Sequence, residues 1–583
     1  MSAVPAEIAL EPAPMADGRQ LTARSLLAGC GIGALLAAAN VYTGLKISVI
    51  DGGSITAALL GFTLFATFTR AGRRPYTAIE NNITQTTASS AAIMGFAAGL
   101  GGPVPAMEMY GRHFPVWALP IWGMCLAVIG IVAAALLRRK LIVDDRLPFP
   151  TGNATGKLIE TMFAARAAAL RRARLLVGGA LFAAAVTWFR DGRPKIIPQI
   201  TMFGITAGGL SLNAVSFGLS WSPMVMSIGI MMGLRAALSM FIGASIAWAG
   251  LAPWLVRHHV VATLEFSSCL SWLIWPGLGV LLAGSVLPLL MDWRPAVRAI
   301  RDLAAVATAQ RRSETTQGRA TWLGALLVTV AVGGVLLVAR MVFGFHLLTT
   351  LLVLLFALVM TVVASRATGE TDLAPVGPAG TVTQLLFSGF GTIGSMLAAA
   401  VTFGTSTQAA QTLWAFKAGE KLKADPRAQL VAQLTGALLG ALVVAPVYLV
   451  LVKAYGIGTE NLPAPSAISV RATADAMRGG LGALPPYATL AAGLGLATGA
   501  LLALLGRTRW ARFCPSPAAM GIAMIIPPSL SVAGLAGVLL ALAAKRLRPG
   551  LDDDALASVA AGGLAGESAM GVVIAALVLL GFV

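Results

Sequence analysis

Apolar runs long enough to cross a membrane recur along the whole chain. Clear examples occupy residues 26–49, 114–137, 323–338, 430–452 and 555–583. An α-helix needs about 20 apolar residues to cross a hydrocarbon core about 30 Å thick. The pattern therefore predicts an all-α, polytopic helical membrane protein with about 14–16 membrane segments, several of them broken or re-entrant.

A polar stretch of helix length stands out against this background. Residues 77–99 read TAIENNITQTTASSAAIMGFAAG, and the first half is polar on every helical face. No face remains for lipid, so we predict a central helix that lines a water-filled substrate path. The proposed substrate-binding residues on it are Glu80, Asn81, Asn82, Gln85 and Thr86. For any one of them alone, the simpler alternative is a polar contact that holds two helices together.

Three landmarks occur twice in the same order, which favours an old duplication over chance recurrence in a chain with 65 glycines and 30 prolines. They are the polar stretches around Gln85 and Gln408, the tetrapeptides LPFP at 147–150 and LPAP at 462–465, and the Ser-Pro pairs at 222 and 516. Such doubling is typical of transporters whose solute site lies between two halves. The second polar stretch, with Thr405, Gln408 and Gln411, is expected to face the same path as the first.

Basic residues in the short loops predict the topology. Clusters at 70–74, 138–140 and 171–174 should be cytoplasmic, together with the N-terminus. The loop at 101–114 is nearly neutral, whereas its counterpart at 417–427 is strongly basic, which favours inverted over parallel repeats. The predicted parts are a disordered cytosolic tail (1–20), a first membrane repeat (21–292), a basic cytosolic linker (293–319) and a second membrane repeat (320–583). The expected location is the plasma membrane or cell inner membrane.

The segment 147–165 lies between two basic clusters and contains two prolines and two glycines, so we predict a re-entrant half-helix that enters and leaves on the cytoplasmic side. The segment 462–477 should do the equivalent in the other half. Helices that begin inside a membrane present unpaired N–H groups that attract carboxylates and phosphates. Thr381 and Gln384 fit a capping box, and the serines of both Ser-Pro pairs fit N-caps. Candidate substrate-binding residues in such breaks are Asn153, Thr381, Gln384 and Ser516.

Composition and charge narrow the partners. Of 583 residues, 57% are hydrophobic and 11% charged, and the net charge of +18 is spread over short loops, so it reflects topology rather than nucleic-acid binding. Four scattered cysteines and four histidines indicate neither a cofactor nor a protein-bound metal, and any metal should arrive already chelated. Lys46, near the end of the first apolar run, is expected to extend to the membrane interface. The motif GNATGK at 152–157 lacks the spacing of a nucleotide-binding loop, so transport should run on an ion gradient or downhill.

Carboxylates between apolar runs are the candidates for proton coupling. They are Glu80, Glu370, Asp372 and Glu567. A buried carboxyl group can bind and release protons near neutral pH because burial disfavours its charged form. For Glu370 and Asp372, the alternative is a helix-capping role in a solvent loop, with Arg366 close enough to pair with them.

Several motifs together resemble the oligopeptide transporter (OPT) family, which includes the plant yellow stripe-like metal-chelate carriers. They are NVYTGLKIS (40–48), ENNITQTTASSAA (80–92), LPFPTGNATG (147–156), TGETDLAPVGPAGTVTQL (368–385) and GGLAGES (562–568). The resemblance covers nearly the whole chain after the tail. It implies symport of small peptides or metal–chelate complexes, driven by protons. The NPG and KIPPR motifs of the eukaryotic peptide branch are absent from the sequence, so the chain is more similar to the yellow stripe-like and prokaryotic branch.

Two other function classes compete with a carrier. An intramembrane enzyme acting on a lipid or polyprenyl phosphate could hold magnesium at the acidic runs 144–145 and 552–554, but both runs adjoin basic loops and are typical of solvated helix ends. A channel would require a symmetric ring of polar residues, and the internal doubling favours a carrier. The expected partners are therefore a small-molecule substrate, protons and the lipid bilayer, and a homo-oligomer is compatible with the sequence.

Overall fold

A computed structural model describes residues 20–48, 52–68, 75–164, 166–291, 318–372, 374–479, 485–509, 511, 513–548 and 552–582. In the first half, the helices are α1 Ala23–Ile47, α2 Ser54–Phe68, α3 Ala78–Ala92, α4 Met94–Ala97, α5 Pro103–Glu108, α6 Ala118–Arg138, α7 Pro150–Ala164, α8 Arg166–Asp191, α9 Pro223–Ala244, α10 Ala252–Arg257 and α11 Phe266–Met291. Short π-helical segments, Arg139–Asp144 and Ser245–Leu251, extend α6 and α9. The predicted tail lies outside the described residues except for residue 20.

The second half is helical as well. Its helices are α12 Gly318–Phe343, α13 Leu347–Thr371, α14 Val376–Leu386, α15 Gly391–Lys421, α16 Pro426–Tyr455, α17 Pro465–Gly479, α18 Ala488–Leu505, α19 Pro517–Ala523, α20 Pro528–Leu547 and α21 Asp553–Leu579. Residues 292–317, which hold most of the predicted basic linker, lie outside the described part of the chain. The boundaries of the four predicted parts stay predictions.

The described residues contain 11 helices long and apolar enough to cross a membrane, or up to 12 if the bent pair around residue 387 is one span. This confirms the polytopic helical fold. The predicted number, about 14–16 segments, is larger because it included broken segments. Helix α2 and the helices α3 to α5 are each too short to cross a membrane as one straight helix, so they are not among the 11.

A small antiparallel β-structure joins α8 to α9 and was not predicted. Strand β1 (Ile200–Met202) pairs with β4 (Gly218–Ser220), and β2 (Thr206–Ala207) pairs with β3 (Leu210–Ser211). The loop closes over one end of the helical bundle, and β4 packs against α20. This end of the bundle also holds the last turns of α1, α8 and α21, which line a common cavity with the loop.

Helix packing follows a paired pattern across the two halves. The contact of α8 with α21 is matched by that of α18 with α11, and the contact of α3 with α16 is matched by that of α15 with α6. The chain from α3 through α4 runs antiparallel to α15, since Ser90 lies beside Gln408, Ala97 beside Gly404, and Gly99 beside Ala400. Opposite directions for equivalent helices are what inverted repeats require. The duplication remains a prediction that these pairs support.

The two proline tetrapeptides dock in the same way, each on the opposite half. In LPFP, the Phe149 amide donates to the Gly369 carbonyl in the last turn of α13, at 3.0 Å. In LPAP, the Ala464 amide donates to the Leu45 carbonyl in the last turn of α1, at 2.7 Å. Phe149 and Ala464 both have positive φ, 39° and 47°, a conformation that non-glycine residues rarely adopt. Helices α7 and α17 therefore start from matched, strained turns.

A second matched contact follows one residue into each helix. The Thr151 amide of α7 donates to the Asp372 carboxylate at 2.9 Å, and the Ser466 amide of α17 donates to the Ser48 hydroxyl at 2.9 Å. Asp372 and Ser48 are the C-caps of α13 and α1, each with a left-handed backbone. We call the two contacts of Phe149 and Thr151 the α7 latch, and the two contacts of Ala464 and Ser466 the α17 latch.

The capping box predicted at Thr381 is wrong. Pro375 is the N-cap of α14, and its carbonyl already accepts the amide of Ala379 at 2.9 Å. Thr381 therefore lies in the middle of the helix, where its hydroxyl donates to the Gly377 carbonyl at 3.1 Å. The glycines at 377 and 380 do not end the helix, so its start lies about one and a half turns before the predicted one.

Candidate functional site

The predicted polar helix is α3, and it lies at the centre of the bundle. It packs against α1, α2, α15 and α16, and all of its residues from Glu80 to Ala92 are buried. Glu80 accepts hydrogen bonds from Arg24, at 3.0 and 2.5 Å, and from the Thr22 hydroxyl, at 2.9 Å. It also completes a capping box with Thr77, which fixes the start of the helix. Glu80 thus ties α3 to the beginning of α1.

The other predicted residues of α3 each contact a different neighbouring element. The Asn81 amide donates to the Ala58 carbonyl of α2 at 3.2 Å, and the Asn82 oxygen accepts the Gln429 amide of α16 at 3.0 Å. The Gln85 amide donates to Ser89 within α3 at 3.2 Å. Thr86 is fully buried as well. The four residues Asn81, Asn82, Gln85 and Thr86 are therefore enclosed by helices.

The second polar stretch lies on α15 and meets the first. Gln408 donates to the Ser90 hydroxyl of α3 at 2.8 Å, and Gln411 donates to the Ser54 hydroxyl at the start of α2 at 3.1 Å. Thr405 shares a hydrogen bond with Thr361 of α13 at 2.8 Å. The structure thus brings the polar stretches of both halves into one seam, which we call the polar seam.

Many polar atoms in the polar seam have no hydrogen-bond partner among the described protein atoms. They are Asn81 Oδ1, Asn82 Nδ2, Gln85 Oε1, Thr86 Oγ1, Thr407 Oγ1, Gln408 Oε1, Gln411 Oε1, and both Gln433 Oε1 and Nε2. Buried polar groups in proteins are nearly always satisfied, and each exception costs about 1–3 kcal/mol. The seam is closed in this conformation, so an open path along it is not observed. Its composition nevertheless calls for polar partners from water or solute.

A cavity of about 220 Å³ lies on one side of the seam, beside α17. Thr381 of α14 and the hydroxyls of Ser466, Ser469 and Thr473 line it, together with apolar residues of α11 and α19. Gln384, one turn beyond Thr381, is buried and donates to the Val470 carbonyl of α17 at 2.8 Å. We call this space the α17 cavity.

A second cavity, of about 410 Å³, lies beside α7. Its lining includes Ile55 of α2, Lys157 and Thr161 of α7, Arg172 of α8 and Asp554 of α21. In the predicted duplication, α2, α7 and α21 around this cavity correspond to α14, α17 and α11 around the α17 cavity. We call this space the α7 cavity; like the α17 cavity, it is lined by helices of both halves.

Asn153 and Ser516, like Thr381 and Gln384, lie outside the polar seam. Asn153 is exposed on α7 and lines neither of these two cavities. Ser516 is the N-cap of α19, as predicted, but its side chain makes no capping hydrogen bond, and its amide donates to the Ser239 hydroxyl at 2.8 Å. Its neighbour Ala518 lines the α17 cavity, so Ser516 lies near that cavity rather than in the seam.

The other Ser-Pro pair caps a helix whose N-terminus is already occupied by a side chain. Ser222 is the N-cap of α9, and the carboxylate of Glu567 accepts hydrogen bonds from its hydroxyl, at 2.8 and 2.9 Å, and from the Met224 amide, at 2.8 Å. Arg190 lies 3.0 Å from the same carboxylate. Local sequence predicted an anion at this helix start, but it could not show that the anion belongs to the chain.

The carboxylates predicted between α13 and α14 are both engaged in contacts. Glu370 pairs with Arg366 at 3.0 Å, and Arg366 also pairs with Asp145 at 2.8 Å. Asp372 accepts from Thr151 in the α7 latch and from the Trp414 indole at 2.8 Å. Burial opposes ionisation of Asp145, but hydrogen bonds from Lys140 and Arg366 outweigh it and hold the pKa of Asp145 below its usual range.

Lys46 does not extend to the interface as expected. Its side chain is only 13% exposed, donates to the Tyr42 hydroxyl at 2.9 Å and lies 3.8 Å from Glu567. Together with Arg190 and Asp191 it lines a third cavity of about 370 Å³ beneath the loop that joins α8 to α9. Sequence reasoning missed this charged cavity because its residues come from six separate parts of the chain. The one available signal was a lysine inside an apolar run.

Comparisons with known proteins agree with this architecture. The profile of the family described as "OPT oligopeptide transporter protein" matches residues 20–578. The "Putative oligopeptide transporter YGL114W" of Saccharomyces cerevisiae is 24% identical over 89% of this chain and 90% of its own length. The "Probable metal-nicotianamine transporter YSL17" of Oryza sativa subsp. japonica is 24% identical over 91% and 85%. A "Putative oligopeptide transporter" of Haemophilus influenzae is 23% identical over 92% of both chains.

These relatives are named as transporters, which decides against the intramembrane enzyme. The acidic runs that motivated that alternative serve other roles here: Asp145 pairs with Lys140 and Arg366, and Asp552 caps the start of α21. The family profile covers nearly the whole chain, including both polar stretches and both proline tetrapeptides. The chain is therefore a membrane transporter and belongs to the OPT oligopeptide transporter family.

Proposed function

We propose that this protein is a secondary active transporter that carries small peptides or metal–chelate complexes across the plasma or cell inner membrane in symport with protons. The observation that carries the proposal is a pair of cavities that border helices of the polar seam, one lined by Ile55 beside Ser54 of α2 and the other by Phe403 of α15. The names of the relatives, oligopeptide and metal-nicotianamine transporters, supply the solute class.

The proposed path runs from the α17 cavity through the polar seam to the α7 cavity. Helices α7 and α17 act as gates, because each lines one cavity and is held at its start by a latch rather than by a continuous helix. In this proposal the solute contacts the seam residues of α3 and α15 only when a gate has moved. The N-terminus and α7 are placed on the cytoplasmic side, as the basic loops predict.

Among the proposed proton carriers, Glu370 is more accessible than Glu80 and Glu567. Its side chain is 25% exposed, compared with 1% for Glu80 and 0% for Glu567. A carboxylate paired with one arginine at a partly exposed site can exchange protons with solvent more readily than one sealed among four donors. Asp372 is the next candidate, and its protonation would weaken the α7 latch directly.

Uptake into proteoliposomes tests the proposal. Wild-type protein should accumulate a labelled di- to hexapeptide or a nickel or ferric chelate when the pH gradient is imposed, and the accumulation should collapse with a protonophore. Glu370→Gln should lose accumulation against a gradient but keep solute exchange, whereas the control Glu420→Gln, another paired carboxylate near the end of α15, should behave as wild type. Failure of wild type to move any peptide or chelate would contradict the proposed function.

A further inference from the structure

The charged cavity beneath the loop joining α8 to α9 is built differently from the other two. Its floor carries Lys46 and Arg190, and Asp191 and Glu460 also line it. Arg190 is 3% and Lys46 13% exposed, so both cations are held where lipid or protein surrounds them. Buried charges of this kind in a membrane protein are costly and commonly mark a functional site.

The two cations of this cavity, Lys46 and Arg190, differ in how many of their N–H donors are already used in hydrogen bonds. Arg190 uses four of its five N–H donors, since it pairs with Asp191 and Glu567 and donates to the Trp221 carbonyl at 2.7 Å. Lys46 is not saturated: its ammonium group has three donors, and its one hydrogen bond among the described residues is to the Tyr42 hydroxyl. Glu567, at 3.8 Å, is beyond hydrogen-bond distance.

Two tyrosine hydroxyls add to this donor set. The Tyr42 hydroxyl accepts from Lys46, and its own hydrogen has no acceptor among the described residues. The Tyr455 hydroxyl has only a long contact, 3.5 Å, to the Gly571 carbonyl of α21. An ammonium group and two hydroxyls that line one cavity match the two oxygens of a carboxylate.

The rim supplies the opposite charge. Glu460 lines the same cavity, is exposed, and has one long hydrogen bond, 3.4 Å, from the Ser216 hydroxyl. A solute with an amine some distance from its carboxylate could therefore be held at both ends. Peptides and amino-acid-based chelators share this zwitterionic chemistry.

We propose that this cavity is a recognition site for the free carboxylate of a zwitterionic solute, bound by Lys46 Nζ with the hydroxyls of Tyr42 and Tyr455. The inference relies on the proposed function only for the nature of the solute. The proposed site lies at the end of α1, close to the α17 latch, because Ser48 of the α17 latch follows Lys46 by two residues. A solute bound here would thus lie next to the gate that the proposed path opens first.

Equilibrium binding to the purified full chain in lipid nanodiscs tests this site. The probes are trialanine, its C-terminal amide and nickel–nicotianamine. Wild type should bind trialanine about tenfold more tightly than the amide, since one charge-assisted hydrogen-bond pair is lost. Lys46→Gln should abolish that preference, and Lys46→Arg should keep part of it. Tyr455→Phe should reduce it, and Lys453→Gln, a lysine on the same helix that does not line the cavity, should leave it unchanged.

Each result decides the proposal. If Lys46→Gln does not fold, the Tyr455→Phe comparison carries the test, because the ring and its packing are kept. Lys46-dependent binding of nickel–nicotianamine without binding of trialanine would support the site and identify a chelator as its source. Equal affinity of wild type for trialanine and its C-terminal amide, without Lys46-dependent binding of nickel–nicotianamine, would overturn the proposal. A preference for trialanine that is unchanged in both Lys46→Gln and Tyr455→Phe would also overturn it. If Lys46→Gln takes up solute as wild type does, the site is wrong but the proposed function stands. If binding depends on Lys46 but wild type shows no uptake, the site stands but the proposed function is wrong.

Discussion

Gln429 and Gln433 lie one turn apart on α16 and are both buried, but their side-chain amides differ in partners. The Gln429 amide donates to Asn82 at 3.0 Å and to the Ala415 carbonyl at 2.7 Å. Neither the oxygen nor the nitrogen of Gln433 has a partner among the described protein atoms. The same substitution, to leucine, should therefore have opposite effects at the two positions.

The magnitudes follow from these contacts. Gln429→Leu removes the partner of Asn82 and should lower stability by about 1–3 kcal/mol. Gln433→Leu removes two buried polar atoms, each of which costs roughly 1–3 kcal/mol when unpaired, so it should stabilise the closed seam by at least about 2 kcal/mol.

Transport should fall as stability rises. If the Gln433 amide finds its partners only when the seam opens, leucine favours the closed conformation, and about 2 kcal/mol lowers the open population roughly 30-fold. Thermal unfolding of detergent-solubilised variants gives the order of stability, and tracer uptake into liposomes gives the rate. A Gln433→Leu protein that is destabilised like Gln429→Leu, or that transports like wild type, would refute the reasoning.

Three further outcomes are expected. Single cysteines at Arg139 and Arg172, in a background lacking the native cysteines, should react with an impermeant reagent from the same face; reaction from opposite faces would mean that α7 crosses the membrane. Asp372→Ala should cost about 1 kcal/mol as a lost cap of α7, seen as faster proteolysis near residue 150, and unchanged cleavage would argue against the latch. Glu567→Gln leaves Arg190 with one counter-ion and should lower the unfolding temperature, partly restored by Arg190→Gln; a stable Glu567→Gln protein that loses only pH-driven accumulation would make Glu567 a proton carrier instead.

Local sequence was sufficient for features that local chemistry determines. The N-cap at Ser222 follows from serine before proline, and the structure has it. The burial of α3 follows from polar residues on all its faces, because only a central position spares them lipid. The tetrapeptides predicted two equivalent half-helices, and α7 and α17 are both 15 residues long.

What local sequence could not supply is the identity of distant partners. Glu567 reaches Ser222 across 345 positions, so no window around either residue reveals the pair. Lys46 is expected at the interface because it lies near a helix end. Glu567 of α21, however, lies 3.8 Å from the Lys46 ammonium group, and the lysine side chain stays largely buried. Thr381 fits a capping pattern, but Pro375 starts the helix earlier, and pattern alone does not rank two competing starts.

The reciprocal latches bear on how such a chain could have arisen. Each gate helix is held by the opposite half: α7 by the end of α13, and α17 by the end of α1. A half-length ancestor could not have docked its own gate in this way, so it would have needed a second copy inserted upside down, exchanging the gate helices as in a domain-swapped dimer. In the predicted duplication, fusion of the two copies would free the two docking positions to diverge, and one is now an aspartate at 372 while the other is a serine at 48. Only the aspartate has an ionisable side chain, so in the predicted duplication a once symmetric pair of docking positions has become chemically asymmetric.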